Sequence, residues 1–293
     1  MMDATLREKV KNIRIYTKRL MQSSLAGDYL SAFKGSGLEF NQIREYQNGD
    51  DIRSIDWNNS AKMNKMMIKQ FIEERDRTVI LAIDTSRSLH YSSSDEQKQE
   101  IVAKIAASLT FVADQNKDKV GALFFSDRIE KWLPPTRGKS HVGTIVQHIF
   151  SLKPHGHQTN MSTALRFLIQ LKKRNAIVFF ISDWIDDQSS YENLLKVARC
   201  QYEFVSIRLL DPIEKELPRV GLLDITDPET GLTTSIDLSS RSLQQKNHLL
   251  MERYLTQKKM FERYRIDLLD LMVNQPFINP MISFFHKRIR RQV

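Results

Sequence analysis

Short runs of consecutive apolar residues alternate with longer amphipathic segments through the middle of the chain. A continuous apolar run of this kind is typical of a strand that is buried on both faces of a parallel sheet. We therefore expect four such strands, at residues 78–83, 119–126, 176–181 and 202–210.

The segments between these runs carry apolar residues at three- and four-residue spacing, which predicts helices. The helical segments cover residues 95–115, 140–152, 160–173 and 188–199. Strands that alternate with helices predict right-handed βαβ units, and hence an α/β fold with a doubly wound, mostly parallel sheet and helices on both faces. A short additional strand is expected over 129–133, followed by a loop at Pro134 and Pro135.

Segments of different character flank this alternation on both sides. Residues 4–22 have helical spacing, and the charges interleaved around Asn48 and Gly49 favour internal ion pairs. Beyond Pro218 the pattern predicts a hairpin and then a long helix over 243–273. We expect an N-terminal extension, an α/β domain, and a C-terminal hairpin with a helix, at residues 1–77, 78–212 and 213–293.

The net charge is +9, and the excess is concentrated in the C-terminal segment. Residues 240–293 hold 11 basic and 4 acidic side chains. Such a segment is either a solvated basic helix or a contact surface for nucleic acid or an anionic membrane, and the sequence leaves both interpretations open.

Three features of the sequence favour a cytoplasmic protein. No apolar run reaches the roughly 18 residues that a membrane-spanning helix needs. The N-terminal residues are charged throughout and lack the apolar core of a signal peptide. Cys200 is the single cysteine, so no internal disulfide is available.

Polar residues with oxygen atoms follow two of the predicted strands and precede one predicted helix. Asp84, Ser86 and Ser88 occupy alternate positions directly after the first apolar run. Thr159 precedes a helix and Asp183 follows a strand, so all five are expected at the carboxyl edge of the sheet, where ligands gather. Carboxylate and hydroxyl oxygens suit Mg²⁺ or Mn²⁺ rather than Zn²⁺. The sequence therefore predicts a metal site at this edge.

The spacing of these five residues resembles the metal-ion-dependent adhesion site of the von Willebrand factor A domain. Asp84, Ser86 and Ser88 match its Asp-x-Ser-x-Ser run, while Thr159 and Asp183 match its later threonine and aspartate. The resemblance implies a Rossmann-type sheet and a bound divalent ion. It implies that the three hydroxyl groups are offered to the metal, some of them directly, and that the aspartates supply charge, often through water. An open coordination position would accept a carboxylate from a partner protein.

The segment before the first strand extends the resemblance to the DUF58 family, which has a von Willebrand factor A-like core. The matching residues are Arg44 and Tyr46, the run 49–57, and Lys69 and Phe71. The resemblance covers about residues 25–240. Family members are commonly encoded beside MoxR-type AAA+ ATPases, which implies a chaperone-like or assembly role with such an ATPase or its client. Many members carry N-terminal transmembrane helices, which this sequence lacks, so we expect it among the soluble members.

An enzymatic alternative starts from Asp84, because an aspartate at a strand end also serves phosphoryl-transfer enzymes. Haloacid-dehalogenase-like phosphatases need a second aspartate two residues later, where this chain has Ser86. No Walker A sequence is present. We therefore expect a binding protein with no catalytic residues and no small-molecule substrate, and we keep a metal-dependent phosphohydrolase as the alternative.

Other residues near the expected site have more than one interpretation. His155 and His157 suggest a transition-metal site, but no cysteine or third histidine accompanies them, so a turn is the better account. Arg87 and Trp184 are expected at the rim of the metal site, where they would contact a partner. For Trp184, packing against the neighbouring loop is an equal alternative, and for Arg87 the alternative is an ion pair with a local carboxylate.

Overall fold

Two compact units make up the chain, one formed by residues 33–76 and the other by the residues on either side of that segment. The computed structural model describes residues 25–33, 38–73, 77–90, 92–93, 96–151, 156, 158–173, 176–226 and 233–292. The helix predicted over 4–22, and both His155 and His157, lie outside the described residues.

The smaller unit is built on an antiparallel strand pair. Helix α1 (Leu25–Ala32) precedes it and belongs to the larger unit. Strand β1 (Leu38–Glu45) pairs with β2 (Met67–Glu73), and helix α2 (Trp57–Met63) lies between them in the chain.

Side-chain hydrogen bonds fix the connection between β1 and β2. The guanidinium of Arg44 forms a bidentate ion pair with the carboxylate of Asp50, with N–O distances of 2.7 and 2.8 Å. Asp56 accepts hydrogen bonds from the backbone N–H groups of Asn58 and Asn59 and thereby caps α2. The internal ion pairs predicted for this segment are therefore confirmed.

The larger unit contains the main sheet and the remaining helices. Its strands are β3 (Thr78–Asp84), β4 (Lys119–Phe125), β5 (Ile129–Thr136), β6 (Ala176–Ser182), β7 (Glu203–Leu210), β8 (Gly221–Thr226), β9 (Thr233–Leu238) and β10 (Asp267–Met272). Its further helices are α3 (Lys98–Gln115), α4 (Lys139–Ser151), α5 (Met161–Leu171), α6 (Gln188–Gln201), α7 (Pro212–Lys215), α8 (Ser240–Arg263) and α9 (Ile278–Gln292).

Six of these strands form one sheet in the order β10-β7-β6-β3-β4-β5. Every neighbouring pair is parallel except β4 with β5. All four apolar runs form strands of this sheet, as predicted. The α/β fold with a mostly parallel central sheet is therefore confirmed.

Helices cover both faces of the sheet, which explains why its central strands are apolar along their whole length. Ile80, Ala82 and Phe180 belong to a core that also includes residues of α5, α6 and α8. Val79 and Leu81 alternate with them and must face the opposite side, where α3 contacts β3 and β4. Both sets of side chains are fully buried.

The long helix predicted over 243–273 is wrong in its last third. Helix α8 ends at Arg263, Arg265 has a left-handed φ of 53°, and 267–272 form the parallel edge strand β10. The two acidic residues of this segment, Asp267 and Asp270, are three apart, a spacing that also suits a helix. Pairing with β7 decides the conformation. Asp270 lies opposite Arg208 in the register and forms a bidentate ion pair with its buried guanidinium.

The loop predicted at Pro134 and Pro135 is wrong, whereas the hairpin predicted beyond Pro218 is confirmed. Pro134 and Pro135 lie within β5 rather than in a loop, which is tolerated because β5 is the outer strand of the sheet. The predicted hairpin is confirmed as β8 paired antiparallel with β9. The described residues from Ile213 onward belong to the larger unit, in which β10 completes the main sheet. No helix among the described residues is long and apolar enough to cross a membrane.

Candidate metal centre

The candidate site lies where the strand order of the sheet reverses. Strands β3 and β6 are neighbours, but the chain continues from β3 to β4 on one side and from β6 to β7 on the other. The connections after these strands therefore diverge and leave a crevice at their carboxyl ends. Asp84 ends β3, and Ser182 and Asp183 end and follow β6. The sheet topology thus brings both predicted aspartates to one crevice.

Asp84 is held by hydrogen bonds on both of its carboxylate oxygens. Oδ1 accepts the backbone N–H of Ser86 at 2.8 Å, and Oδ2 accepts the hydroxyl of Ser182 at 2.7 Å. The hydroxyl oxygens of Ser86 and Ser88 are 2.9 Å apart. Burial, and then the negative charge of Asp183, raise the pKa of Asp84 to about 7, although its hydrogen bonds act in the opposite direction.

Asp183 has a buried oxygen without a hydrogen-bond donor. Its Oδ1 accepts the backbone N–H of Ile185 at 3.1 Å, whereas its Oδ2 is buried and accepts no hydrogen bond. The ammonium of Lys98 lies 3.8 Å from Oδ2, which is too far for a hydrogen bond. An unsatisfied buried carboxylate oxygen is costly, and a cation beside it would remove that cost. The donor set therefore fits a hard divalent ion.

The segment that carries Thr159 is fixed at the same edge of the sheet. The N–H of Asn160 donates to the carbonyl of Ser126, directly after β4, at 3.1 Å. The N–H of Met161 donates to the carboxylate of Asp186, which follows β6, at 3.0 Å. Thr159 therefore lies in a segment that is hydrogen-bonded both to the residue after β4 and to the loop after β6. Its side chain is partly buried.

Close packing around Gly156 holds the start of this segment. A Cβ at Gly156 would lie 2.1 Å from the hydroxyl oxygen of Ser126 and 2.2 Å from a carboxylate oxygen of Asp127. The N–H of Gly156 also donates to Glu130 at 2.8 Å.

We therefore expect Gly156→Ala to displace Ser126 or the Thr159 segment and to destabilise the fold by about 1–3 kcal/mol, the usual cost of overpacking. Thermal unfolding measures this loss. The control is Gly143→Ala, where a Cβ meets nothing within 4 Å. Equal melting temperatures for the two variants would show that the loop adapts without cost.

The two residues predicted to contact a partner differ in exposure. Arg87 is exposed at the start of a 3₁₀ turn, so it is free to reach a partner. Trp184 is completely buried, and its prediction as a partner-binding residue is wrong. Its ring packs against Phe180, Tyr191 and Phe261 at centroid distances of 4.9, 5.5 and 4.9 Å. Its φ of 60° turns the chain inward directly after Asp183.

Sequence reasoning missed a buried polar cluster behind Asp183. Lys98 is fully buried, and its ammonium lies 2.5 Å from a carboxylate oxygen of Glu214. The other oxygen of Glu214 accepts the N–H of Asp211 at 2.9 Å. Asp211 in turn accepts the N–H of Ser93 at 2.7 Å and the Ser93 hydroxyl.

One signal could have indicated Lys98. It occupies the first position of α3, where a positive charge opposes the helix dipole, so a lysine there needs a specific partner. Burial raises the pKa of Glu214, and the charge of Lys98 opposes this rise.

Among the described residues, no group of three or more His, Cys, Asp or Glu side chains could hold a metal ion. The candidate set is of another kind, because it combines two carboxylates with serine and threonine hydroxyls. Hydroxyl oxygens are weak ligands, and a divalent ion on such a set keeps water or takes a further anionic ligand.

Comparison with known proteins identifies the family. The family described as "Protein of unknown function DUF58" matches residues 42–254. The chain belongs to the DUF58 family. The membership of the DUF58 family that the segment before β3 predicted is thus confirmed. "Uncharacterized protein Rv1480" of Mycobacterium tuberculosis is 27% identical over 238 residues, which are 80% of this DUF58 chain and 75% of that protein. "Uncharacterized protein Mb1516" of Mycobacterium bovis matches with the same identity and coverage.

Two solved structures overlap with most of this DUF58 protein. The conserved hypothetical protein BatB from Bacteroides thetaiotaomicron has a TM-score of 0.48 and 13% identity, and the match covers 73% of this chain and 99% of that one. An aerotolerance-related membrane protein from Bacteroides fragilis has a TM-score of 0.49, with the same identity and coverage. Because both TM-scores are below 0.5, neither likeness supports a conclusion about function.

Proposed function

We propose that this DUF58 protein is a non-catalytic protein-interaction module that binds a partner carboxylate through a bound Mg²⁺ or Mn²⁺. Its fold would be of the von Willebrand factor A-like, Rossmann type, and it would act in the cytoplasm as an adaptor or co-chaperone of a MoxR-type AAA+ ATPase or its client. The observation that carries the proposal is the buried Oδ2 of Asp183, which has no hydrogen-bond donor and lies in the same crevice as Asp84.

The sheet topology supports the fold assignment. A single antiparallel edge strand, β5, closes an otherwise parallel six-stranded sheet, and the crevice lies between the first and fourth strands in chain order. The residues that resemble the adhesion site come from three separate connections that this topology gathers at one edge.

The residues would divide the work of metal binding as follows. Ser86, Ser88 and Thr159 would offer neutral hydroxyl oxygens. Asp84 is held in one orientation by the N–H of Ser86 and the hydroxyl of Ser182, and its carboxylate would supply negative charge to the ion. The divalent ion would supply a positive charge that few anionic ligands neutralise, and it would therefore attract a carboxylate from outside. Arg87 is exposed beside the serines and would add a second positive group for that carboxylate.

The burial of Asp84 argues against the phosphohydrolase alternative. A substrate phosphate must reach a nucleophilic aspartate directly, and Asp84 is only 1% exposed. The basic C-terminal segment is also less available for nucleic acid or membranes than its charge suggests, because Arg288 and Arg291 form ion pairs with Asp267. Lys287 and Arg290 remain exposed.

Affinity capture tests this proposal. Tagged wild-type protein should retain a MoxR-type ATPase from the native cell extract in Mg²⁺ but not in chelator, because the partner carboxylate would bind through the metal. Asp84→Ala should fail to retain it in either condition. Glu216→Ala, at an exposed carboxylate, is the matched control and should behave as wild type. If the tagged protein is recovered without a MoxR-type ATPase, and the set of retained proteins is the same in Mg²⁺ and in chelator, the adaptor role is ruled out.

A further inference from the structure

Lys98 is a fully buried cation between two carboxylates that come from different connections. Glu214 lies on α7 after β7, and Asp183 follows β6. The ammonium of Lys98 lies 2.5 Å from an oxygen of Glu214 and 3.8 Å from Oδ2 of Asp183. A buried lysine is retained only where its charge is compensated, so both carboxylates contribute to keeping it in place.

Lys98 interacts unequally with the two carboxylates, and Oδ2 of Asp183 is left without a hydrogen-bond donor. Lys98 is within hydrogen-bond distance of Glu214 but only within Coulombic range of Asp183. Lys98 supplies one positive charge, whereas three carboxyl groups, those of Asp84, Asp183 and Glu214, lie in or beside the crevice. A divalent cation in the crevice would correct this imbalance. It would also be repelled by the ammonium of Lys98, since both would lie beside Asp183.

We infer that Lys98 is the internal counter-cation of Asp183 and that it sets how tightly the candidate centre binds a divalent ion. The inference rests on the metal site proposed above and names the residue that regulates it. Without metal, Lys98 partly neutralises Asp183. With metal bound, the divalent ion neutralises Asp183 and Lys98 pairs with Glu214 alone.

This exchange would link the metal to a second part of the crevice. Glu214 bonds to the N–H of Asp211, and Asp211 holds Ser93 through two hydrogen bonds. Ser93 lies three residues beyond the 3₁₀ turn Arg87–His90, which contains Ser88 and directly follows Ser86. The Lys98–Glu214 pair therefore connects Asp183 to the connection that supplies the serine hydroxyls.

Two substitutions should change metal affinity in opposite directions. Lys98→Met keeps an unbranched side chain one atom shorter than lysine and removes the repelling charge, so its Mg²⁺ dissociation constant should fall at least tenfold. Glu214→Gln removes the negative charge that faces Lys98, which leaves Asp183 as the nearer charged partner of the ammonium, so its Mg²⁺ dissociation constant should rise severalfold. Lys98→Arg retains the charge and should stay within threefold of wild type. Lys196→Met, on the exposed side of α6, is the matched control.

Calorimetric titration with MgCl₂ and melting temperatures with and without Mg²⁺ provide the readouts. Lys98→Met should melt below wild type without metal, because Asp183 and Glu214 lose their counter-charge, and should gain more from Mg²⁺ than wild type does. A purely structural role for Lys98 would lower both melting temperatures equally and leave affinity unchanged. If Lys98→Met does not fold, a weaker affinity of Glu214→Gln for Mg²⁺, with the affinity of Lys98→Arg unchanged, still tests the inference.

The outcomes separate this inference from the function on which it rests. Wild-type binding of Mg²⁺ with unchanged affinity in Lys98→Met and Glu214→Gln would overturn the role of Lys98 and leave the metal site standing. Binding by Lys98→Met alone would support the repulsion assigned to Lys98 but would overturn the proposed function, because wild type would then bind no Mg²⁺. An absence of Mg²⁺ binding in wild type and every variant would overturn both proposals.

Discussion

Asp84→Asn should abolish the stabilisation of this protein by Mg²⁺. A ligand at about 100 times its dissociation constant stabilises a folded protein by about 2.7 kcal/mol, and we expect wild type to gain this amount in excess Mg²⁺. Asparagine retains one carboxamide oxygen for the N–H of Ser86 but removes the negative charge from the crevice. The melting temperature of Asp84→Asn should therefore be the same in Mg²⁺ and in chelator.

The comparison needs a control for general effects of Mg²⁺ on surface carboxylates. Glu216→Gln provides it, because Glu216 is exposed and lies outside the crevice. This variant should gain as much stability from Mg²⁺ as wild type. If Asp84→Asn gained equally, Asp84 would not belong to a metal centre, and the resemblance to the adhesion site would be one of sequence alone.

Trp184→Ala should destabilise the larger unit by about 3–5 kcal/mol, the usual range for truncation of a buried aromatic side chain. The indole is 0% exposed and contacts three aromatic rings from β6, α6 and α8. Its loss would leave a cavity where the helices meet the sheet. Chemical denaturation followed by circular dichroism measures the change in the free energy of unfolding.

Trp57→Ala is the matched control for this experiment, because Trp57 is 66% exposed. Exposed substitutions of this kind usually change stability by less than about 0.5 kcal/mol. Similar losses at the two positions would contradict the packing described for Trp184. A tryptophan that served a partner rather than the core would instead leave stability unchanged and weaken partner binding.

The local patterns in the sequence were sufficient for the central strands and for most of the helices. The runs at 78–83 and 176–181 are almost entirely apolar because both faces of those strands are covered. Such a run lacks the three- and four-residue spacing of an amphipathic helix, so it is readily recognised as a strand. The patterns failed at 264–273, where three leucines and two aspartates suit either a helix or a strand. There the ion pair between Arg208 and Asp270 and the ladder with β7 decide for a strand.

In the candidate site, too, some residues are placed by their spacing in the sequence and others only by tertiary contacts. Asp84, Ser86 and Ser88 are close together because they are two residues apart after one strand, so the sequence alone places them. Trp184 follows Asp183 in the chain, but a left-handed backbone conformation turns it into the core, and no pattern of apolar residues announces such a turn. Ser182 and Lys98 were missed because each acquires its partner across a distance in sequence, Asp84 for the first and Glu214 for the second.

The sequence by itself determined the family, the alternation of strands and helices, and the oxygen-rich residues that follow the first strand. These depend on local spacing and on burial, which act on residues that are near one another in the chain. Only the tertiary structure decided that Trp184 is buried, that the edge of the sheet is a sixth strand, and that Lys98 lies beside Asp183. Those features depend on contacts between segments that are distant in the chain. Their charged side chains and backbone N–H and C=O groups become paired only when the whole sheet is assembled.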